Sequence, residues 1–232
     1  MATLRYLRTS TGRKVLMGIS GAALFGFIVM HLLGNLQIFL GPEKINAYAE
    51  FLESIEELLW FARIALLSMI GIHIACAVSL TLENRAARPV EYQNKKYIKA
   101  SYASRTMAMS GLIVFSFIIY HLLHFTVGAV HSQYSHFVDP KGRHDVYSMV
   151  VMSFQNPWIS LSYMVSIFLL CLHLSHGLSS MFQSIGLNNE EFRPTLVKVG
   201  SVVAWLIFLG YVSIPASVLL GIVKLPAGVI LP

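Results

Sequence analysis

With 232 residues, of which 56% are hydrophobic and only 12% charged, and a mean hydropathy of +0.66, the chain falls short of the charge a soluble domain needs to cover its surface, which is about 25% of residues. The charge that is missing leaves long uncharged runs. These exclude a soluble protein with five buried helices, because core helices of such length keep a polar stripe. The net charge of +6 does not indicate nucleic acid as a partner, since the basic residues are sorted by loop along the chain.

Five segments are long enough to cross a bilayer, which takes roughly 20 apolar residues per helix: about 15–40, 58–82, 106–130, 157–182 and 196–223. The apolar stretch of the first runs through Gly34 with no cleavage site, so it is a span and not a removable signal. After it, PEKINAYAEFLESIEEL from Pro42 places Ile45, Tyr48, Phe51, Leu52 and Ile55 at helical spacing, with acidic residues opposite. This predicts an amphipathic helix over 43–57, lying at the membrane interface between spans one and two. The loop 83–105 is short and basic, and the loop 131–156 is the longest and most polar. The expected fold is all-α: a single membrane domain over 1–232, built as a five-helix transmembrane bundle with no soluble portion. Cys76 and Cys171 lie singly within spans, with neither a metal-binding spacing nor a disulfide framework, and read as small core residues.

Charge sets the expected topology. Twelve of the seventeen basic residues fall on one side: Arg5, Arg8, Arg13, Lys14, Arg85, Arg88, Lys95, Lys96, Lys99, Arg105, Arg193 and Lys198. The other side holds Lys44, Arg63, Lys141, Arg143 and Lys224, together with Glu43, Glu50, Glu53, Glu56 and Glu57. The positive-inside rule then puts the N-terminus in the cytoplasm.

An internal repeat links spans one and three. Residues 20–33, SGAALFGFIVMHLL, match residues 110–123, SGLIVFSFIIYHLL, at eight of fourteen positions without a gap, which equates His31 with His121. Ionisable groups at membrane depth are costly and mark function. Six of the nine histidines lie in spans: His31, His73, His121, His124, His173 and His176. Each of the first four spans carries at least one, as bis-imidazole ligation of two haems would require.

Depth predicts the pairing. His31 follows Lys14 by 17 residues and His121 follows Arg105 by 16, which places both about 25 Å from the cytoplasmic end at helical rise. His73 precedes Glu83 by ten residues and His173 precedes Gln183 by ten, which places both roughly 15 Å from that side. His31 and His121 form an expected outer pair, and His73 and His173 an inner one. A single intramembrane histidine is as often a hydrogen-bonded structural residue; four at matched depths favour ligation. Ser20, Gly21, Ser110 and Gly111 are candidate haem neighbours. His124 and His176, one turn beyond proposed ligands, are candidates for contacting haem propionates or for packing. The repeat favours His121 over His124, whereas depth alone permits either His173 or His176. His131, His136 and His144 read as solvated loop residues.

The histidine in each of spans one to four, SRTMAMSG ahead of IIYHLLHF at 104–125, and HLSHGLSSMFQSIGLNN at 173–189 resemble the cytochrome b subunit of succinate:quinone oxidoreductases (succinate dehydrogenase or fumarate reductase) in its five-helix, diheme form. The resemblance covers nearly the whole chain and supports His173 over His176. It implies two haem b groups, a flavoprotein and an iron–sulfur partner on the cytoplasmic face, surrounding membrane lipid, and a quinone substrate, with menaquinone the expected species. Electrons would run from succinate through flavin and clusters to the inner haem, the outer haem and the quinone, or the reverse for fumarate. The implied location is the inner membrane of a prokaryote. For the quinone site Glu50, Arg63 and Trp158 are the outer-side candidates, with Glu53 and Tyr147 behind them. Some family members carry a glutamate two residues before the fourth-span ligand as part of a proton path; here that position is Cys171. Three other readings compete: a diheme anchor of a hydrogenase or formate dehydrogenase, a haem-free transporter or proton channel with a histidine relay, and a purely structural anchor without haem, which the loss of any of the four histidines would favour.

Overall fold

A computed structural model describes residues 9–87, 102–187 and 189–226. The basic residues Arg5, Arg8, Arg88, Lys95, Lys96 and Lys99, and Asn188 of the 173–189 motif, lie outside the described residues. The architecture is all-α, with one isolated bridge between Val138 and His144 as the sole extended pairing among the described residues. In chain order the helices are α1 (Ser10–Asn35), α2 (Pro42–Ser54), α3 (Glu56–Ala86), α4 (Met107–His121), α5 (Val146–Gln155), α6 (Pro157–Ser184) and α7 (Arg193–Leu219). A 3-10 turn, Leu36–Leu40, extends α1, and a π-type turn, Leu122–Thr126, extends α4. Five of these segments are long and apolar enough to cross a membrane: Ser10–Leu40, Glu56–Ala86, Met107–Thr126, Pro157–Ser184 and Arg193–Leu219.

Local chemistry explains where the helices start. The Thr9 hydroxyl accepts from the Gly12 N–H at 3.1 Å and caps α1. Proline stands first in α2 and in α6, where a missing N–H costs nothing. Asp145 caps α5 by accepting from Ser148 N–H at 3.0 Å, and Glu56 and Glu57 open α3 next to its positive dipole end.

The helices depart from the sequence expectation in two places. The third span ends at Thr126 and not at 130, because the chain turns at Gly128, where φ is +69° and a Cβ would lie 2.7 Å from Ser135 Oγ. The loop expected over 131–156 contains α5, whose Tyr147, Met149, Val150, Val151 and Phe154 are buried. Ten residues are too few to span, so their apolar run was absorbed into the polar loop around it.

The chain folds as two compact units. One comprises the described residues of Met1–Ile28, Phe61–Gly111 and Leu172–Ala204. In it Arg13 of α1 binds both carboxylate oxygens of Glu83 of α3 at 2.9 Å and also donates to Ser79. The other comprises the described residues of Val29–Trp60, Leu112–Cys171 and Trp205–Pro232. Its core joins Ile38, Ile45, Tyr147, Val150, Val151, Phe154, Ile159, Tyr163, Ile167, Ile214 and Val218. Here α2 packs on α5, and Gly34 gives the Tyr48 ring room, since a Cβ there would lie 2.8 Å from Cε1.

The helix expected at the interface over 43–57 forms as Pro42–Ser54, with Ile55 leaving helical geometry. Its two faces differ from the simple amphipathic pattern. Asn46 is 1% exposed, donates to Asp145 Oδ1 at 2.9 Å and accepts from Tyr147 N–H at 3.0 Å, whereas Phe51 is 57% exposed. The acidic face holds loop cations: Glu43 pairs with Lys141 at 2.7 Å and with Arg143 at 2.9 Å.

Candidate cofactor site

In the first unit, His73 of α3 and His173 of α6 face each other, with ring centroids 6.4 Å apart and planes at 61°. Each ring meets the same dipeptide. Ser20 Oγ lies 3.3 Å from His73 Nδ1, and Ser110 Oγ lies 3.2 Å from His173 Nδ1. A Cβ on Gly21 would lie 3.4 Å from His73 Cε1, and one on Gly111 would lie 3.5 Å from His173 Cε1. The Ser-Gly of the repeat therefore serves the histidines of spans two and four, and not those of its own helices. His176 is separate: its Nε2 lies 3.0 Å from Ser180 Oγ on the same helix.

In the second unit, His31 of α1 and His121 of α4 have ring centroids 5.7 Å apart with planes at 83°. The Asn35 amide donates to the His31 carbonyl at 2.7 Å and lies over the His31 ring, 3.3–3.4 Å from its nitrogens. His121 Nδ1 is buried with no hydrogen-bond partner among the described residues. Tyr211, Phe117, Phe125 and Tyr163 surround the pair.

These distances define what each pair can hold. Ring pairs whose centroids lie 5.7 and 6.4 Å apart could each hold one metal between them, at bonds of about 2 Å. Among the described residues no group of three or more His, Cys, Asp or Glu converges, so two imidazoles are what the protein itself would offer a metal at each pair. The space that Gly21 and Gly111 leave open beside His73 and His173 fits a flat group around such a metal.

His124 is not available for this. Its Nδ1 lies 2.9 Å from Tyr163 OH and its Nε2 lies 3.1 Å from Ser153 Oγ, and the residue is 2% exposed. Because Ser153 Oγ donates to the Met149 carbonyl at 2.7 Å, it accepts from His124 Nε2–H, and Nδ1 accepts from Tyr163. Both nitrogens are engaged within the protein. Tyr163 and Asn35 carried no sequence signal beyond the i+4 offset of Asn35 from His31.

The loop histidines are only partly as expected. His136 is exposed, while His131 is half-buried beside Tyr120 OH at 3.3 Å. His144 is also half-buried, with Nδ1 3.9 Å from Glu53 and Nε2 buried without a partner among the described residues. The quinone candidates differ in their surroundings. Glu50 lies 3.7 Å from Arg143, Trp158 is 77% exposed, and Arg63 is an exposed residue of α3. Tyr147 is buried and its hydroxyl donates to the Lys224 carbonyl at 2.9 Å, which makes it a structural residue.

Five helices long and apolar enough to cross a membrane define a multi-pass membrane protein, and four of them carry the paired imidazoles. Residues 81–208, more than half of the chain, match the sequence model of the succinate dehydrogenase/fumarate reductase transmembrane subunit, and the chain belongs to that family. The match takes in His121 and His173, while His31 and His73 precede it. No curated protein sequence and no solved structure gives a match.

Proposed function

We propose that this chain is the diheme cytochrome b subunit of a succinate:quinone oxidoreductase, carrying electrons between an iron–sulfur partner and a membrane quinone. The observation that carries this reading is the pair of facing imidazoles found twice, at 6.4 Å and 5.7 Å, in a chain of this family. His73 and His173 hold one haem b, and His31 and His121 hold the other. Bound haem supplies a one-electron ferric/ferrous couple.

The protein's own part is ligation, burial and exclusion of competing ligands. Each imidazole is supplied by a helix whose rise fixes its depth. The surrounding aromatic and aliphatic side chains keep water from the metal, and His124 is withheld from ligation by its two hydrogen bonds. The predominantly basic loops are placed on the cytoplasmic side, where flavoprotein and iron–sulfur subunits dock, with the N-terminus inside and the whole in a prokaryotic inner membrane. Glu50, Arg63 and Trp158 remain the candidates for the outer quinone site, with menaquinone as its substrate. Glu50 would act there together with Arg143, its ionic neighbour.

Affinity purification of the tagged chain from its native membrane tests the assignment. The expected preparation contains a flavoprotein and an iron–sulfur subunit and oxidises succinate with a quinone acceptor. Recovery with hydrogenase or formate dehydrogenase subunits, or with no redox partner, contradicts it.

A further inference from the structure

We propose that Ser20 and Ser110 are positioning residues that lock His73 and His173 in the tautomer presenting Nε2 to the metal, and that they lower the potential of that haem alone. The inference rests on the diheme reading above. It follows from counting protons. A serine hydroxyl has one proton to donate. Ser20 gives its proton to the α1 backbone, with Oγ 2.8 Å from the Leu16 carbonyl and 3.1 Å from that of Met17. Towards His73 Nδ1, at 3.3 Å, it can then only accept, so Nδ1 carries the hydrogen and Nε2 keeps its lone pair. Ser110 repeats this: Oγ donates to the Met107 carbonyl at 3.1 Å and accepts from His173 Nδ1–H at 3.2 Å. Both serines are nearly inaccessible, at 1% and 3% exposure, so water does not compete for the bond.

The other pair meets different groups. His121 Nδ1 has no partner among the described residues, and the group over the His31 ring is an amide nitrogen, which donates. An Nδ1–H bonded to an oxygen makes the imidazole a stronger donor and favours the ferric state, which lowers the reduction potential. Ser20 and Ser110 therefore act on one pair, His73 and His173. The paired serines of the repeat exist for the histidines opposite them.

Potentiometric titration of the purified complex, with haem counted per chain, tests this. In Ser20→Ala and in Ser110→Ala two haems are retained and the same one of the two couples moves to a more positive potential. The other couple stays in place, and the double variant moves the first further. Ser20→Thr and Ser110→Thr, which restore the hydroxyl, return the wild-type potential. Ser116→Ala, a helix serine bonded to the Leu112 carbonyl and exposed, moves neither couple. If an alanine variant does not assemble, Ser20→Cys and Ser110→Cys keep the volume with a weaker acceptor and must give the same positive shift. Haem-replete variants with unchanged couples, or serines that move different couples, overturn the proposal. A wild-type complex without two b haems instead overturns the reading beneath it.

Discussion

Two histidines one turn apart on the same helix have opposite fates, and hydrogen-bond accounting separates them. His121 has a buried Nδ1 without a partner among the described residues, while His124 has both nitrogens engaged by Tyr163 and Ser153. His124→Phe should leave the Tyr163 hydroxyl buried and unpartnered, a penalty of about 1–3 kcal/mol. Thermal unfolding of the complex should show the lowered midpoint, with haem content per chain unchanged. His31→Ala or His121→Ala should each remove the same single haem and leave the second intact, as read from reduced-minus-oxidised spectra. Loss of the other haem would break the pairing. That His31 meets His121 and that His73 meets His173 was legible in sequence, because helical rise converts residue number into depth. The Ser–His contacts were not, because depth says nothing of which way a helix faces. The repeat aligned Ser20 and Ser110 with each other but could not show that they meet His73 and His173.

Among the elements, α2 and the loop before α5 are joined through Arg143. Its guanidinium lies 2.6 Å from Asp139 Oδ2 and 2.9 Å from Glu43 Oε2, and its side chain is only 9% exposed. Burial pushes the Asp139 carboxyl up, but the Arg143 side chain and the backbone N–H groups of Arg143 and Lys141 outweigh it, and its pKa is lowered. The Arg143 and Lys141 hydrogen bonds likewise lower that of Glu43. A carboxylate with a depressed folded pKa stabilises the fold above its unfolded value and loses that contribution as pH falls through the folded one. The unfolding midpoint should therefore hold from neutral pH down to about pH 4 and fall below it. Arg143→Met, which takes the guanidinium from Asp139 and Glu43 together, should lower the unfolding midpoint. Lys141→Met, at an exposed pair, should lower it by less. An unfolding midpoint equal in the two variants would contradict the assignment of the clasp to Arg143. None of this was legible in sequence. Glu43 and Arg143 are a hundred residues apart, and the acidic face of 43–57 reads only as the polar side of an amphipathic helix because its partners lie in a remote loop.

For the whole molecule, five apolar runs in the sequence became five membrane-length helices with ends shifted by a few residues. That much follows from the bilayer, which forces backbone polar groups to satisfy one another within each helix. The ten residues of α5 are too few to cross a bilayer, so span length gives that helix no signature in the sequence. The family assignment rests on residues 81–208, and the first two spans join the account through the geometry of His31 and His73. The central claim is that each facing pair holds one haem. It is tested most directly by pyridine haemochrome quantitation of the purified complex against chain concentration, alongside a dithionite-reduced minus oxidised spectrum. Two b haems per chain is the predicted result. One haem, or none, in a folded and partnered preparation would contradict it.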